Sequence, residues 1–152
     1  MKIQKLSQKN AQNIAYRWKY KDIYSGYTLT TDQNALQEFI SQKLRKNNYF
    51  EIIDDNKLVG YLHVEEKDDG IWISFGMRPE LTGQRKGQEF LESIMEYVHD
   101  TYGIDKPLLL AVNLFNERAI HLFRKNKFYE IQTRKFNMKD GQFDYVVLRR
   151  DW

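Results

Sequence analysis

The chain has 152 residues, 41% of them hydrophobic and 14% aromatic, enough to bury roughly two-thirds of the unfolded surface of one domain and too apolar for a disordered chain. Lys and Arg exceed Asp and Glu by only 24 − 21 = 3, so charge marks neither nucleic acid nor a membrane as a partner, and no stretch approaches the ~20 apolar residues of a membrane span. Cysteine is absent, which excludes disulfides and thiolate nucleophiles, and His63, His99 and His121 share no ligand spacing, so no metal site is expected.

Met1 to Leu6 lacks an apolar signal region, which makes a soluble cytoplasmic protein the expectation. Its weak alternation predicts a short edge strand. Ser7 then caps a helix carrying Ala11, Ile14, Ala15 and Trp18 on one side. Trp18 to Tyr27 follows neither a 3.6 nor a 2 period and reads as an ordered, aromatic loop. Thr30 or Thr31 is expected to cap the next helix, whose buried stripe is Ala35, Leu36, Phe39, Ile40 and Leu44.

Three strands at hairpin spacing come next: Tyr49 to Asp54, Lys57 to Glu65 and Ile71 to Met77, with turns at Asp55-Asn56 and Asp68-Asp69-Gly70. Pro79 ends the pairing, because it has no N–H to donate. A helix after Lys86 buries Phe90, Leu91, Ile94, Met95 and Val98 and stops at Gly103. Leu108 to Val112 is an unbroken apolar run, the pattern of a central strand covered on both faces. Asn116 caps a helix burying Ala119, Ile120, Leu122 and Phe123, and Phe128 to Met138 with Phe143 to Arg149 closes the chain as a hairpin turning at Lys139-Asp140-Gly141. The expected fold class is α/β with a mixed sheet of about seven strands, antiparallel first and parallel at the centre, helices on both faces, in one domain over residues 1–152.

The stretch from Gly70 to Asn116 organises the rest. Strand, loop, helix and strand form a parallel crossover that brings the loop and the helix N-terminus to the carboxyl end of the first strand. Amide groups and the positive end of the helix dipole converge there, and Arg85 and Lys86 add charge, so a phosphate-bearing ligand is the first hypothesis. Neither a Walker loop nor a dinucleotide fingerprint is present in Thr82-Gly83-Gln84-Arg85-Lys86-Gly87-Gln88. On spacing alone, a turn glycine followed by a solvated basic pair accounts for this loop equally well.

Phe75-Gly76-Met77-Arg78-Pro79-Glu80-Leu81-Thr82-Gly83-Gln84-Arg85-Lys86-Gly87 resembles motif A of the GCN5-related N-acetyltransferases, whose core is Gln/Arg-x-x-Gly-x-Gly/Ala at a helix start. Asn116 to Phe128 resembles their motif B, Asn-x-x-Ala-x-x-Leu-Tyr-x-x-x-Gly-Phe, in the right order and separation. The resemblance implies acetyl-CoA as cosubstrate, with its pyrophosphate on the amides of Thr82, Gly83, Gln84, Arg85, Lys86, Gly87 and Gln88. It also implies that the backbone of Phe75 and Met77 runs beside the pantetheine arm where the central parallel strands splay, that Asn116 and the residue at Phe123 face the same arm, and that the Met77 N–H polarises the thioester carbonyl. Three departures stand out: Thr82 where Gln or Arg is usual, Arg85 where the first glycine is usual, and Lys127 in place of the glycine of Gly-Phe. A fourth, Phe123, replaces a tyrosine that in many relatives protonates the departing thiolate, and phenylalanine has no proton to give.

Amine acetylation requires a neutral amine, so a base or a water chain is needed. Glu65, Glu66 and Glu80 are the nearest acids in sequence, each equally readable as a solvated strand-end charge. Asn113 ends the second parallel strand where polar groups reach ligands in open sheets, and Tyr145 is a substitute proton donor. Tyr24 and Tyr27 either wall an acceptor pocket or pack the first helix. The expectation is direct acetyl transfer to the amine of a small molecule or peptide by a monomer or homodimer, with no nucleic acid, membrane or metal. Its rivals are a catalytically silent acyl-CoA sensor and a nucleic-acid binder using the basic helix from Arg118 to Lys127.

Overall fold

The computed structural model describes residues 1–138 and 141–152, with side chains described outside 134–143. The predicted turn at Lys139 and Asp140 therefore lies outside the described residues. Seven strands form one mixed sheet in the order β1-β2-β3-β4-β5-β7-β6, in which β4 and β5 are parallel and the other neighbours antiparallel. In chain order these are β1 (Lys2–Lys5), β2 (Tyr49–Asp54), β3 (Lys57–Lys67), β4 (Gly70–Met77), β5 (Leu108–Asn113), β6 (Tyr129–Met138) and β7 (Gly141–Arg150). The α-helices among the described residues are α1 (Gln8–Arg17), α2 (Gln33–Ile40), α3 (Gln42–Arg45), α4 (Gly87–Tyr102) and α5 (Glu117–Lys125).

The chain packs as two compact units, Met1–His63 with Phe75–Tyr97 and Val64–Ser74 with Val98–Trp152. In the first, Ile14, Ala11 and Ala15 of α1 meet Leu36 and Phe39 of α2, with Trp18, Tyr49 and Leu58. Asp55 and Asn56 take positive φ of 50° and 62° in the two-residue β2–β3 turn, a conformation that suits the strand twist and that Asn and Asp tolerate. In the second, Leu108, Leu109 and Leu110 of β5 are buried along with Val146, Val147 and Leu148 of β7, as the unbroken apolar run of β5 requires.

Two expectations are corrected. The α2 cap is Asp32, whose Oδ1 accepts the amides of Asn34 and Ala35 at 3.0 and 3.2 Å, because the Thr31 hydroxyl instead donates to the carbonyl of Thr28 at 2.7 Å in a preceding 3-10 turn. The helix expected to continue to Leu44 breaks at Ser41, whose Oγ accepts the Leu44 amide at 3.2 Å and starts α3. The break turns Leu44 outward, 52% exposed, and buries Arg45, which donates to the orphan Phe39 carbonyl of α2 at 2.6 Å and to Gln8 Oε1 at 2.8 Å.

Glu51 is the buried carboxylate of β2. It accepts from Gln4 Nε2 at 2.7 Å, the Ser7 amide at 2.9 Å and Asn10 Nδ2 at 3.0 Å, joining β1 and α1 to the sheet. Burial raises its pKa, but these donors outweigh burial and hold it below the ordinary value. With the folded pKa below the unfolded one, near 4.3, its stabilisation is complete above that unfolded value and is lost as pH falls through the folded one. Glu51→Gln turns an amide toward these donors and is expected to cost about 2 kcal/mol at pH 7. Denaturant melts at pH 7 and pH 3 check this, since the gap from the parent must narrow in acid.

Candidate active site

In the first unit the site begins at the end of β4. The Arg78 amide donates to the Val59 carbonyl of β3 at 2.8 Å. Because N–H and C=O directions alternate between strand edges from one residue to the next, the N–H and C=O of Met77 point away from β3. The Tyr20 hydroxyl donates to that Met77 carbonyl at 2.5 Å, and the Tyr20 amide donates to Thr28 Oγ1 at 2.9 Å. Burial, with Tyr61 and Glu80 close by, raises the Tyr20 phenol well above its usual value, and burial alone pushes Tyr61 up to about 12, so both keep their protons. Tyr61 lies against Gly76: a Cβ there would stand 2.5 Å from its ring. Phe75 packs on Phe90 of α4 with centroids 5.8 Å apart.

After β4, Pro79–Leu81 makes a 3-10 turn, and Thr82 spends both its amide and its hydroxyl on the Pro79 carbonyl, at 3.2 and 2.7 Å. The next five amides, of Gly83, Gln84, Arg85, Lys86 and Gly87, have no acceptor among the described residues. Gly83 at φ 76° follows the extended Thr82 (φ −67°, ψ 144°) and Arg85 takes φ 61° two residues on, and turn conformations of this kind gather successive N–H groups into a concavity. The first helical bond of α4 is Phe90 N–H to Lys86 C=O at 3.1 Å, so Gly87 is at the helix start where the dipole is positive.

The second unit carries the other named residues. Asn113 and Tyr145 stand opposite one another across β5 and β7, which puts their side chains on one face. The Asn116 amide donates to the Asn113 carbonyl at 3.0 Å, and its Oδ1 accepts the Ala119 amide at 3.2 Å as the α5 cap. Phe123 is 6% exposed, its ring 5.5 Å from that of Phe128. Phe128 N–H to Phe123 C=O and Lys127 N–H to Arg124 C=O, at 3.0 and 3.1 Å, close a Schellman motif around Lys127 at φ 72°. Phe123 thus makes with Phe128 the hydrophobic contact that accompanies this helix C-terminus.

Arg85 and Lys127 stand where the motifs favour glycine, and both retain the left-handed backbone that glycine adopts freely. Arg85→Gly and Lys127→Gly are each expected to raise stability by about 0.5–1 kcal/mol. Thermal melts of the two variants check this, and a fall in stability at either position refutes the account of strain.

Glu65 and Glu66 lie at the hairpin end of β3, remote along the strand from Val59, and Glu65 is exposed with Lys67 Nζ at 3.9 Å. Glu80 is exposed, and its charge contributes to the rise of the Tyr20 phenol. Tyr24 and Tyr27 stack at 6.2 Å, and Tyr20 meets Tyr27 edge-on at 6.4 Å. Sequence reading singled out Tyr24 and Tyr27 but missed Tyr20 and Tyr61, although Tyr20 stands in the same aromatic loop from Trp18 to Tyr27.

The model of the acetyltransferase (GNAT) family matches residues 13–128. The chain belongs to this family and is an acyltransferase. A search of curated proteins gave no match. Among solved structures, a chimera of the Vibrio cholerae spermidine N-acetyltransferase SpeG and hSSAT is similar, at TM-score 0.75 and 16% identity over 99% of this chain and 95% of its own. The Escherichia coli ribosomal-protein-S18-alanine N-acetyltransferase superposes at TM-score 0.65, with 18% identity over 98% and 92% of the two chains. A GNAT acetyltransferase from Bacillus anthracis does so at 0.73, with 13% identity over 97% and 92%. The family uses acetyl-CoA, and no described helix is long and apolar enough to cross a membrane.

Proposed function

We propose that this chain acetylates a primary amine from acetyl-CoA by direct transfer, without a covalent enzyme intermediate. The observation that carries the reading is the run of unpartnered amides from Gly83 to Gly87 at the start of α4, shaped by the positive φ of Gly83 and Arg85. These amides and that of Gln88 hold the pyrophosphate, with Arg85 and Lys86 exposed alongside. Thr82 supports the loop through Pro79. Acetyl-CoA, when bound, supplies the acetyl group as a thioester.

The Met77 N–H, directed away from β3, is the donor assigned to the thioester carbonyl, and such a preorganised donor acts on charge as it develops. The backbone of Phe75 runs beside the pantetheine arm. Phe123 has no hydroxyl to give, and the thiolate is itself a tolerable leaving group near pH 8 given a thiol-like pKa. Glu80, whose charge is felt at the Tyr20 hydroxyl, is better supported than Glu65 as the group that draws the proton from the amine, through water. Tyr24 and Tyr27 form the aromatic wall of the acceptor site, where an alkylammonium is stabilised by ring faces.

CoA at ~100 times its Kd is expected to stabilise the protein by about 2.7 kcal/mol. CoA release from acetyl-CoA, measured over a panel containing spermidine and a peptide with N-terminal alanine, then tests transfer and acceptor class together. A flat melting curve with millimolar CoA overturns the reading.

A further inference from the structure

We infer that Tyr20 is a positioning residue for the reaction: its hydroxyl, by taking the Met77 carbonyl, fixes the peptide groups at the end of β4 and so aims the Met77 N–H. The inference rests on the proposed acetyl transfer. Its own basis is geometric. The N–H and C=O of Met77 share the strand edge facing away from β3, so a bond that fixes the carbonyl direction also fixes that of the N–H. Pro79, one residue beyond Arg78, ends the ladder, so past the Arg78 bond to Val59 the edge has no further β3 pairing to hold it.

Tyr20 is itself anchored. Its amide is held by the hydroxyl of Thr28, a residue 6% exposed, and its ring meets Tyr27 edge-on. Trp18, two residues earlier, is 5% exposed in the first unit's core and packs on Tyr61, the ring that leaves no room for a Cβ at Gly76. The aromatic loop therefore bears on β4 twice, indirectly at Gly76 through Trp18 packed on the β3 residue Tyr61, and directly at Met77 through a hydrogen bond. The raised phenol, with Tyr61 and Glu80 around it, keeps the hydroxyl a donor throughout the neutral and mildly basic range.

The test compares Tyr20→Phe with Tyr20→Leu. Tyr20→Phe keeps the ring and is expected to lower kcat about tenfold, less than the ~10²-fold loss of an oxyanion donor, while the Kd for CoA and the KM for acetyl-CoA stay within about twofold. Met77-Arg78 is the sole Met-Arg pair in the sequence, so labelling Met with 13C at the carbonyl and Arg with 15N isolates this peptide group in the protein without ligand. Loss of the hydrogen bond must move that carbonyl resonance upfield in Tyr20→Phe. If kcat is unchanged, if its fall appears only in Tyr20→Leu, if the carbonyl resonance does not move, or if CoA binds tighter without the hydroxyl, the assignment to Tyr20 is overturned. If instead the parent fails to bind CoA, the acetyl-transfer reading fails, and the labelled carbonyl still decides whether Tyr20 holds Met77.

Discussion

Gly87→Val is expected to weaken CoA binding about a hundredfold, the equivalent of about 3 kcal/mol, while leaving the protein folded. Gly87 is the first residue of α4, in a run of amides that find no acceptor among the described residues. Charge-assisted bonds from such amides to a phosphate contribute about 1.5–3 kcal/mol each, and a branched side chain at the mouth of the concavity holds the anion off one or two of them. Folding has little to lose, because valine is a better helix former than glycine by several tenths of a kcal/mol and this position is half-exposed. Gly87→Ala, with a single methyl, should fall between the two. Isothermal titration with CoA beside a melting curve separates the effects: equal Kd for Val and parent places the pyrophosphate on another loop.

Much of this architecture is written in hydrophobic periodicity. The apolar run of β5, the turn at Asp55-Asn56 and the α4 stripe apart from the half-buried Met95 depend on contacts near in sequence and are found where the pattern places them, whereas of the expected α5 stripe only Phe123 is buried and Ala119, Ile120 and Leu122 are half-buried. The boundaries that moved are places where two local signals compete. Thr30, Thr31 and Asp32 are all capping residues, and only the neighbouring turn decides which oxygen is available. The pattern Phe39, Ile40, Leu44 runs unbroken across Ser41, and nothing local announces that Ser41 will cap a new turn and that Arg45 will be the buried residue. At the candidate site, motif spacing identifies the loop but not its dihedrals, so the left-handed backbone at Arg85 is invisible where the familiar glycine is missing. Tyr20 escapes for another reason. Its hydrogen bond to Met77 spans 57 residues, and no window along the chain contains both partners.

Gly60→Ala is expected to cost about 3 kcal/mol of stability, the upper end of the usual cost of overpacking. A Cβ on Gly60 would lie 2.4 Å from Cζ of Phe90 and 2.8 Å from the carbonyl oxygen of Gly76, and neither can yield easily. Phe90 is 2% exposed and fixed against Phe75, so its ring has no empty volume to enter. The Gly76 oxygen is backbone, so relief on that side moves β4 itself, just before Met77. The same displacement should therefore appear twice: as a fall in melting temperature of about 6–12 °C for a chain of this size, and as weaker CoA binding at temperatures where the variant is still folded. Gly76→Ala meets only the Tyr61 ring, 2.5 to 2.7 Å away, and that side chain is longer and partly exposed, so a smaller loss is expected there. Denaturant melts of both variants with CoA titrations at low temperature check the order. If Gly60→Ala melts with the parent, the close packing of β3, β4 and Phe90 in the first unit is wrong, and with it the fixed strand end on which the roles of Met77 and Tyr20 depend.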